Sequence, residues 1–100
     1  MTAYIVFTRV KTRAPDELAA YAAHAPAFMA GHEVKNHANF GPCEVLEGPD
    51  VEGVAILEFA SVDAAKAWYG SPAYQEASRH RHQGGDYFAV IVEGSSPRHG

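Results

Sequence analysis

The sequence predicts a single α+β domain, with a four-stranded sheet covered on one side by helices. Four short runs rich in β-branched and aromatic residues alternate with two helical segments. A chain of 100 residues is also long enough to bury one core without a metal or disulfide staple.

The opening run "AYIVFTRV" (3–10) is apolar on both parities near its start, as expected of a strand covered on both faces. "APDELAAYAAHAPAFMAG" follows with Pro15 at a first helical position, and Asp16 and Glu17 beside the positive end of the helix dipole. Leu18, Tyr21, Ala22, Ala25, Phe28 and Met29 recur at spacings of three and four, a stripe that should face the core. Pro26 should kink this helix and Gly31 should end it. A second strand is expected over 32–37, then an irregular loop over 38–42 with Gly41-Pro42, and a short extended piece over 43–47. "VEGVAILEFA" (51–60) is again apolar on both parities, so it and the first strand form the expected central pair.

Ser61 is placed to cap "VDAAKAWY", which Gly70 closes, and Ser71-Pro72 repeats the cap and first-turn signal for another helix. "DYFAVIVEG" (86–94) supplies the fourth strand, and residues 95–100 form a polar tail expected to fray. The order β-α-β-β-α-β over 1–94, with no repeat or linker, is the split βαβ pattern of a ferredoxin-like sandwich. Helices on one side leave an apolar sheet face bare, which calls for a partner, and a homodimer is the economical one.

A net charge of −4, with only Arg79 to His82 as a basic cluster, argues against nucleic acid as a partner. The lone Cys43 cannot close an intramolecular disulfide. No run reaches membrane-spanning or signal-peptide length, so no membrane is expected and the cytoplasm is the expected compartment.

Helical projection from Pro72 gathers Tyr74, Ala77, Ser78 and Arg81 in one inward stripe, and points Arg79 and His80 away from it. Arg81 then either packs its stem on the core edge with its head in water or holds an anionic group in a pocket. Glu58 stands in "VAILEFA" where a central strand should be buried. It either pairs with a cation such as Arg81, serves as a general acid or base, or reaches solvent near the strand end. His24, at the edge of the first stripe beside Tyr21 and Phe28, reads either as a proton-transfer group or as a surface residue.

His24, His32 and His37 are spaced by eight and five residues, which matches no standard zinc pattern, and no metal is expected. Trp68 shares a projected face with Ala64 and Ala67, the usual setting of a core tryptophan. No phosphate loop, nucleophile elbow or Cys-His signature is present in the chain.

Taken together, "AYIVFTRV", the pattern Tyr21, His24, Pro26, Phe28 and Gly31, "EVLEG" (44–48), "ILEF" (56–59), "AAKAWYGSPAYQ" (64–75), Arg81 and "VIVEG" (90–94) resemble the uncharacterised family DUF1330 of the dimeric α/β-barrel superfamily. The resemblance spans nearly the whole chain and is most specific from Trp68 to Tyr74 with Arg81. It implies two ferredoxin-like subunits with sheets face to face, forming a dimeric α/β barrel, and a pocket in each subunit between sheet and helices. Relatives in that superfamily include cofactor-free monooxygenases, lactone isomerases, polyketide cyclases, haem enzymes and members without demonstrated catalysis, so fold alone does not choose a reaction.

The resemblance carries over Tyr21, Glu58, Trp68, Ser71, Tyr74 and Arg81 as pocket residues. The chain departs from the family around the second strand: Ala30-Gly31 stands where a Gly-Gly start is usual, and "NHANFGP" lengthens the connection by about three residues, putting His37 and Asn39 in a locally altered site.

The resulting expectation is a homodimer with one small-molecule pocket per subunit, acting without a cofactor on a small carbonyl-bearing or aromatic compound. His24 or Glu58 would move a proton, Arg81 would hold developing oxyanion charge, and Tyr74 or Ser71 would donate hydrogen bonds, with Tyr21, Trp68 and His37 lining the substrate site. A cyclase or isomerase fits this set. The alternatives are a non-catalytic ligand-binding or stress-related module, a cofactor-free monooxygenase, and a haem binder using His24 or His37 as axial ligand.

Overall fold

The computed structural model describes residues 2–95, so all but the first residue of the expected tail 95–100 lies outside the described residues. The elements run β1 (Ala3–Thr12), α1 (Pro15–Ala23), α2 (Ala25–Met29), β2 (Lys35–Asn39), β3 (Gly53–Phe59), α3 (Val62–Tyr69), α4 (Pro72–Gly84) and β4 (Gly85–Glu93). The strands pair antiparallel in the order β2-β3-β1-β4, so β1 and β3 are central as their two-sided apolar pattern requires.

Burial alternates along both central strands. Ala3, Ile5 and Phe7 on β1, and Ala55, Leu57 and Phe59 on β3, are buried beneath the helices with Phe28, Trp68, Tyr74 and Ala77. The opposite parity, Tyr4, Val6, Thr8, Val54 and Ile56, lies on the uncovered face. The β1–β4 register adds Val92, Val90 and Phe88 to that face. These three are 49%, 56% and 64% exposed, so the bare apolar face follows from one-sided helix cover.

Local chemistry sets the element ends. Ser61 Oγ accepts from Ala64 N–H at 3.0 Å, and Ser71 Oγ accepts from Tyr74 N–H at 3.3 Å, capping α3 and α4. Gly84 lets α4 approach α1. A Cβ there would overlap the Leu18 side chain, while the Gly84 carbonyl accepts from Arg13 and Ala14 N–H.

Four expectations are corrected. The helix kinked at Pro26 is two helices, because proline lacks the N–H and clashes with the preceding turn. His24 ends α1 and its carbonyl accepts the first bonds of α2, from Ala27 and Phe28 N–H. The second strand starts at Lys35 rather than residue 32 and runs through residues 38–39, read as loop. Residues 43–47 form no strand and are exposed, Leu46 at 88%. On α3 the face that packs inward is Ala65 and Trp68, with Ala64 half-buried and Ala67 exposed.

Candidate functional site

Between the sheet and the helices lies a cavity of about 340 Å³, in the lower part of the range of roughly 300–1,000 Å³ common for small-molecule sites. Its roof is the stripe Leu18, Tyr21, Ala22, Ala25, Phe28 and Met29, which the spacing aimed at the core. Its floor is Phe7, Ala55 and Leu57 of the central strands. Trp68, Tyr87 and Phe40 complete the walls, and Arg9, Asn36 and Asn39 supply polar groups toward β2. The stripe faces inward as expected, but only Phe28 in it is buried, because α1 and α2 span the sheet without filling the space beneath them.

Behind this lining runs a series of hydrogen bonds that starts from a buried charge. Arg81 is 3% exposed, and its guanidinium lies 5.0 Å from the ring centres of both Phe7 and Tyr87. Its Nε–H donates to Tyr74 Oη at 3.2 Å, and Tyr74 Oη lies 2.9 Å from Tyr21 Oη at the cavity wall. No carboxylate pairs with Arg81 among the described residues.

Tyr74 is fully buried among aromatic rings, its ring centre 4.2 Å from that of Trp68 and 5.2 Å from that of Phe28. Burial, reinforced by Tyr74, pushes the Tyr21 hydroxyl far above the ordinary phenol range. Burial also raises Tyr74, against the opposing pull of Arg81. Both phenols are therefore neutral donors at physiological pH rather than bases.

The structure brings Tyr21, Trp68, Tyr74 and Arg81 together and leaves the other expected site residues elsewhere. Glu58 pairs with Tyr4 and Lys35 across the sheet, on the parity opposite Phe7, so the sheet itself separates it from Arg81. It accepts from His37 Nε2–H at 2.6 Å on the uncovered face. His37 reaches there because β2 bulges between Asn36 and Ala38, which makes it the extra residue in the register. Ser71 is engaged as a cap, its Oγ–H donating to Trp68 O at 2.7 Å, and is not among the cavity lining. His24 closes α1 with Nδ1–H donating to Ala20 O at 2.7 Å, also outside the lining. Arg79 and His82 are exposed, while His80 is half-buried against Glu17.

Sequence reasoning singled out Asn39 but missed Arg9 and Phe40, which stand with it in the cavity lining. Arg9 stacks over the Phe40 ring at 4.7 Å, with its Nε–H donating to Glu52 Oε1 at 2.9 Å. Hydrogen bonds from Thr12 Oγ1 and Thr12 N–H, then from Arg9, hold the Glu52 carboxyl below its usual range. The signal for Arg9 lay in its parity, which it shares with Ile5 and Phe7. Phe40 carried none, because its backbone takes the left-handed region at φ 58°. Its N–H donates to Val54 O, and its ring rests on Gly53, where a Cβ would come within 3.2 Å of it.

This fold recurs among solved structures. A protein of unknown function from Rhodopseudomonas palustris aligns with a TM-score of 0.72 at 21% identity over 95% of this chain and 84% of its own. A dimeric ferredoxin-like protein of unknown function from Jannaschia aligns at 0.67, with 14% identity over 94% and 100%. The cofactor-independent oxygenase SnoaB from Streptomyces nogalater aligns at 0.60, with 13% identity over 96% and 94%. No curated protein matches the chain in sequence. The order β2-β3-β1-β4 is thus a ferredoxin-like sheet, and with the family model matching residues 2–95 the chain belongs to the domain-of-unknown-function family DUF1330.

Proposed function

We propose that the cavity binds a small planar molecule bearing an oxygen, aromatic or carbonyl-containing, and that Tyr21 donates a hydrogen bond to that oxygen. The observation that carries this reading is the series Arg81–Tyr74–Tyr21. In this reading the shared bond is assigned to the Tyr74 proton: Tyr74 accepts from the guanidinium and has its own O–H available for Tyr21, which leaves the Tyr21 proton for a ligand. A cation whose pull is relayed through two neutral phenols stabilises an enolate or phenolate oxygen as charge develops there. The chemistry this favours is enolisation of a carbonyl compound, the first step of a cyclase or isomerase. The C–H proton passes to water at the open end and its electron pair moves onto the oxygen held by Tyr21.

The likeness to a cofactor-independent oxygenase supports chemistry without a cofactor on such a fold. A second reading, ligand binding without turnover, is favoured by the lining itself, which offers donors but neither carboxylate nor imidazole.

The same reading includes a second copy of the chain over the uncovered sheet face, supported by exposed Phe88, Val90 and Val92 and by neighbours described as dimeric. The pocket reading is tested with 2-hydroxy-1,4-naphthoquinone as a probe, following Trp68, the one tryptophan in the chain and part of the wall. Saturable quenching that weakens about 5- to 30-fold in Tyr21→Phe is expected from loss of roughly 1–2 kcal/mol of charge-assisted hydrogen bonding. Equal affinity in Tyr21→Phe, or no saturation at millimolar probe, would refute it. Native mass spectrometry of the purified protein would identify any ligand carried from the cell.

A further inference from the structure

On the outer side of the helix layer, α1 and α4 meet again through two imidazoles. The rings of His24 and His80 lie 5.1 Å apart between centres, with planes inclined at 37°. Each has one nitrogen committed: His24 Nδ1–H donates to Ala20 O at 2.7 Å, and His80 Nδ1–H donates to Glu17 Oε1 at 2.7 Å. A carbonyl and a carboxylate only accept, so the proton of each neutral ring sits on Nδ1 and each Nε2 keeps its lone pair. Neither Nε2 has a hydrogen-bond partner among the described residues. An imidazole anchored through one nitrogen to a carbonyl or carboxylate, with the other free, is prepared as histidine is prepared for a metal.

We propose that His24 and His80 bind one divalent transition-metal ion, of the zinc, copper(II) or nickel class, through their two Nε2 atoms with water completing the coordination. Two imidazoles sharing a tetrahedral ion at about 2.0–2.1 Å from each nitrogen have ring centres about 5.2 Å apart, which the observed separation of 5.1 Å matches. Imidazole ligands select this class over magnesium or calcium, and the half-buried setting leaves room for water. The ligands are 56 residues apart in sequence and come from two helices, which is why no zinc spacing announces them. His24 follows Tyr21 by less than one turn and His80 adjoins Arg81. The ion therefore clamps the helix crossing whose inner side holds the Tyr21–Tyr74 hydrogen bond.

The test is isothermal titration of tag-free protein with zinc chloride, alongside the visible absorption of added cobalt(II). One ion per chain is expected, bound at least 10-fold more weakly in His24→Gln and in His80→Gln, with far-UV circular dichroism unchanged. Glu17→Ala, which removes only the group orienting His80, should weaken binding about 10-fold. His32→Ala and His82→Ala should bind as the wild type does. Absence of zinc heat and of a cobalt band would overturn the proposal. So would zinc affinity retained in both glutamine variants, or lost with His82→Ala or Cys43→Ser instead.

Discussion

Replacing Tyr74 by phenylalanine isolates the step on which the pocket reading depends. The ring stays where Trp68, Tyr69 and Phe28 hold it, at centre distances of 4.2, 5.2 and 5.2 Å, and only the hydroxyl is removed. That oxygen accepts a charged hydrogen bond from Arg81 and shares one with Tyr21. Losing the first costs about 1.5–3 kcal/mol and the second about 0.5–1.5 kcal/mol, while relief of the hydroxyl's own burial returns part of this, for a net loss of about 2–3 kcal/mol. At about 4–8 °C per kcal/mol for a domain of this size, the midpoint should fall by roughly 8–24 °C.

Urea and thermal unfolding followed by circular dichroism measure the loss. Tyr69→Phe is the comparator, because the Tyr69 hydroxyl has no hydrogen bond among the described residues and its removal should matter by less than about 0.5 kcal/mol. Arg81→Met should cost about 1–2 kcal/mol less in the Tyr74→Phe background than alone, since removing both partners of a buried bond leaves nothing unpaired. A Tyr74→Phe variant as stable as Tyr69→Phe would show that the hydroxyl carries no such bond in solution, and the relay would fall with it.

Sedimentation at micromolar concentration should show a dimer that Val90→Glu converts to monomer, because Val90 sits opposite Val6 on the uncovered face; a monomeric wild type would contradict the pairing. Gly84→Ala should destabilise the chain by about 1–3 kcal/mol by pressing on Leu18, and Leu18→Ala should recover part of that loss when combined with it. Additive losses would place the strain elsewhere. The raised Tyr21 and Tyr74 keep their protons longer folded than unfolded. Their stabilisation is thus full below the ordinary phenol pKa and is lost as pH rises toward their folded values, and the alkaline absorbance change at 295 nm that Tyr21→Phe removes should appear only on unfolding. Ionisation of Tyr21 while the protein is still folded would disprove the burial. At Phe40, glycine should be tolerated better than alanine by about 1 kcal/mol, the reverse of the usual order, because the φ of 58° penalises any Cβ; an alanine variant the more stable of the two in urea would show that the turn relaxes.

The fold was legible where burial and periodicity coincide. Two-sided apolar runs placed β1 and β3 at the centre of the sheet, and serine caps fixed the starts of α3 and α4. Legibility failed where the chain leaves regular patterns. Residues 35–39, "KNHAN", carry no alternation because β2 is an edge strand with a bulge and mostly exposed side chains, so its boundaries came out several residues early. Residues 43–47 look extended by composition, yet make no backbone ladder that would turn extension into a strand.

Side-chain placement was legible on α4 and ambiguous on the sheet, for one reason. A helix stripe repeats every three to four residues, so Tyr74, Ala77, Ser78 and Arg81 must share an environment whatever lies around them, and all four are buried. A strand position assigns only a parity, and a two-sided apolar strand does not say which parity meets the helices. Glu58 was therefore as free to face Arg81 as to face away, until the register paired it with Tyr4 and left Leu57 and Phe59 beneath the helices. The same ambiguity hid Arg9, which belongs to the inward parity and brings a cation, paired with Glu52, into the cavity lining. A ligand in that cavity would meet a neutral donor at Tyr21 and the Glu52-paired guanidinium of Arg9 among aromatic rings, which favours a flat molecule bearing polar groups over a purely apolar one.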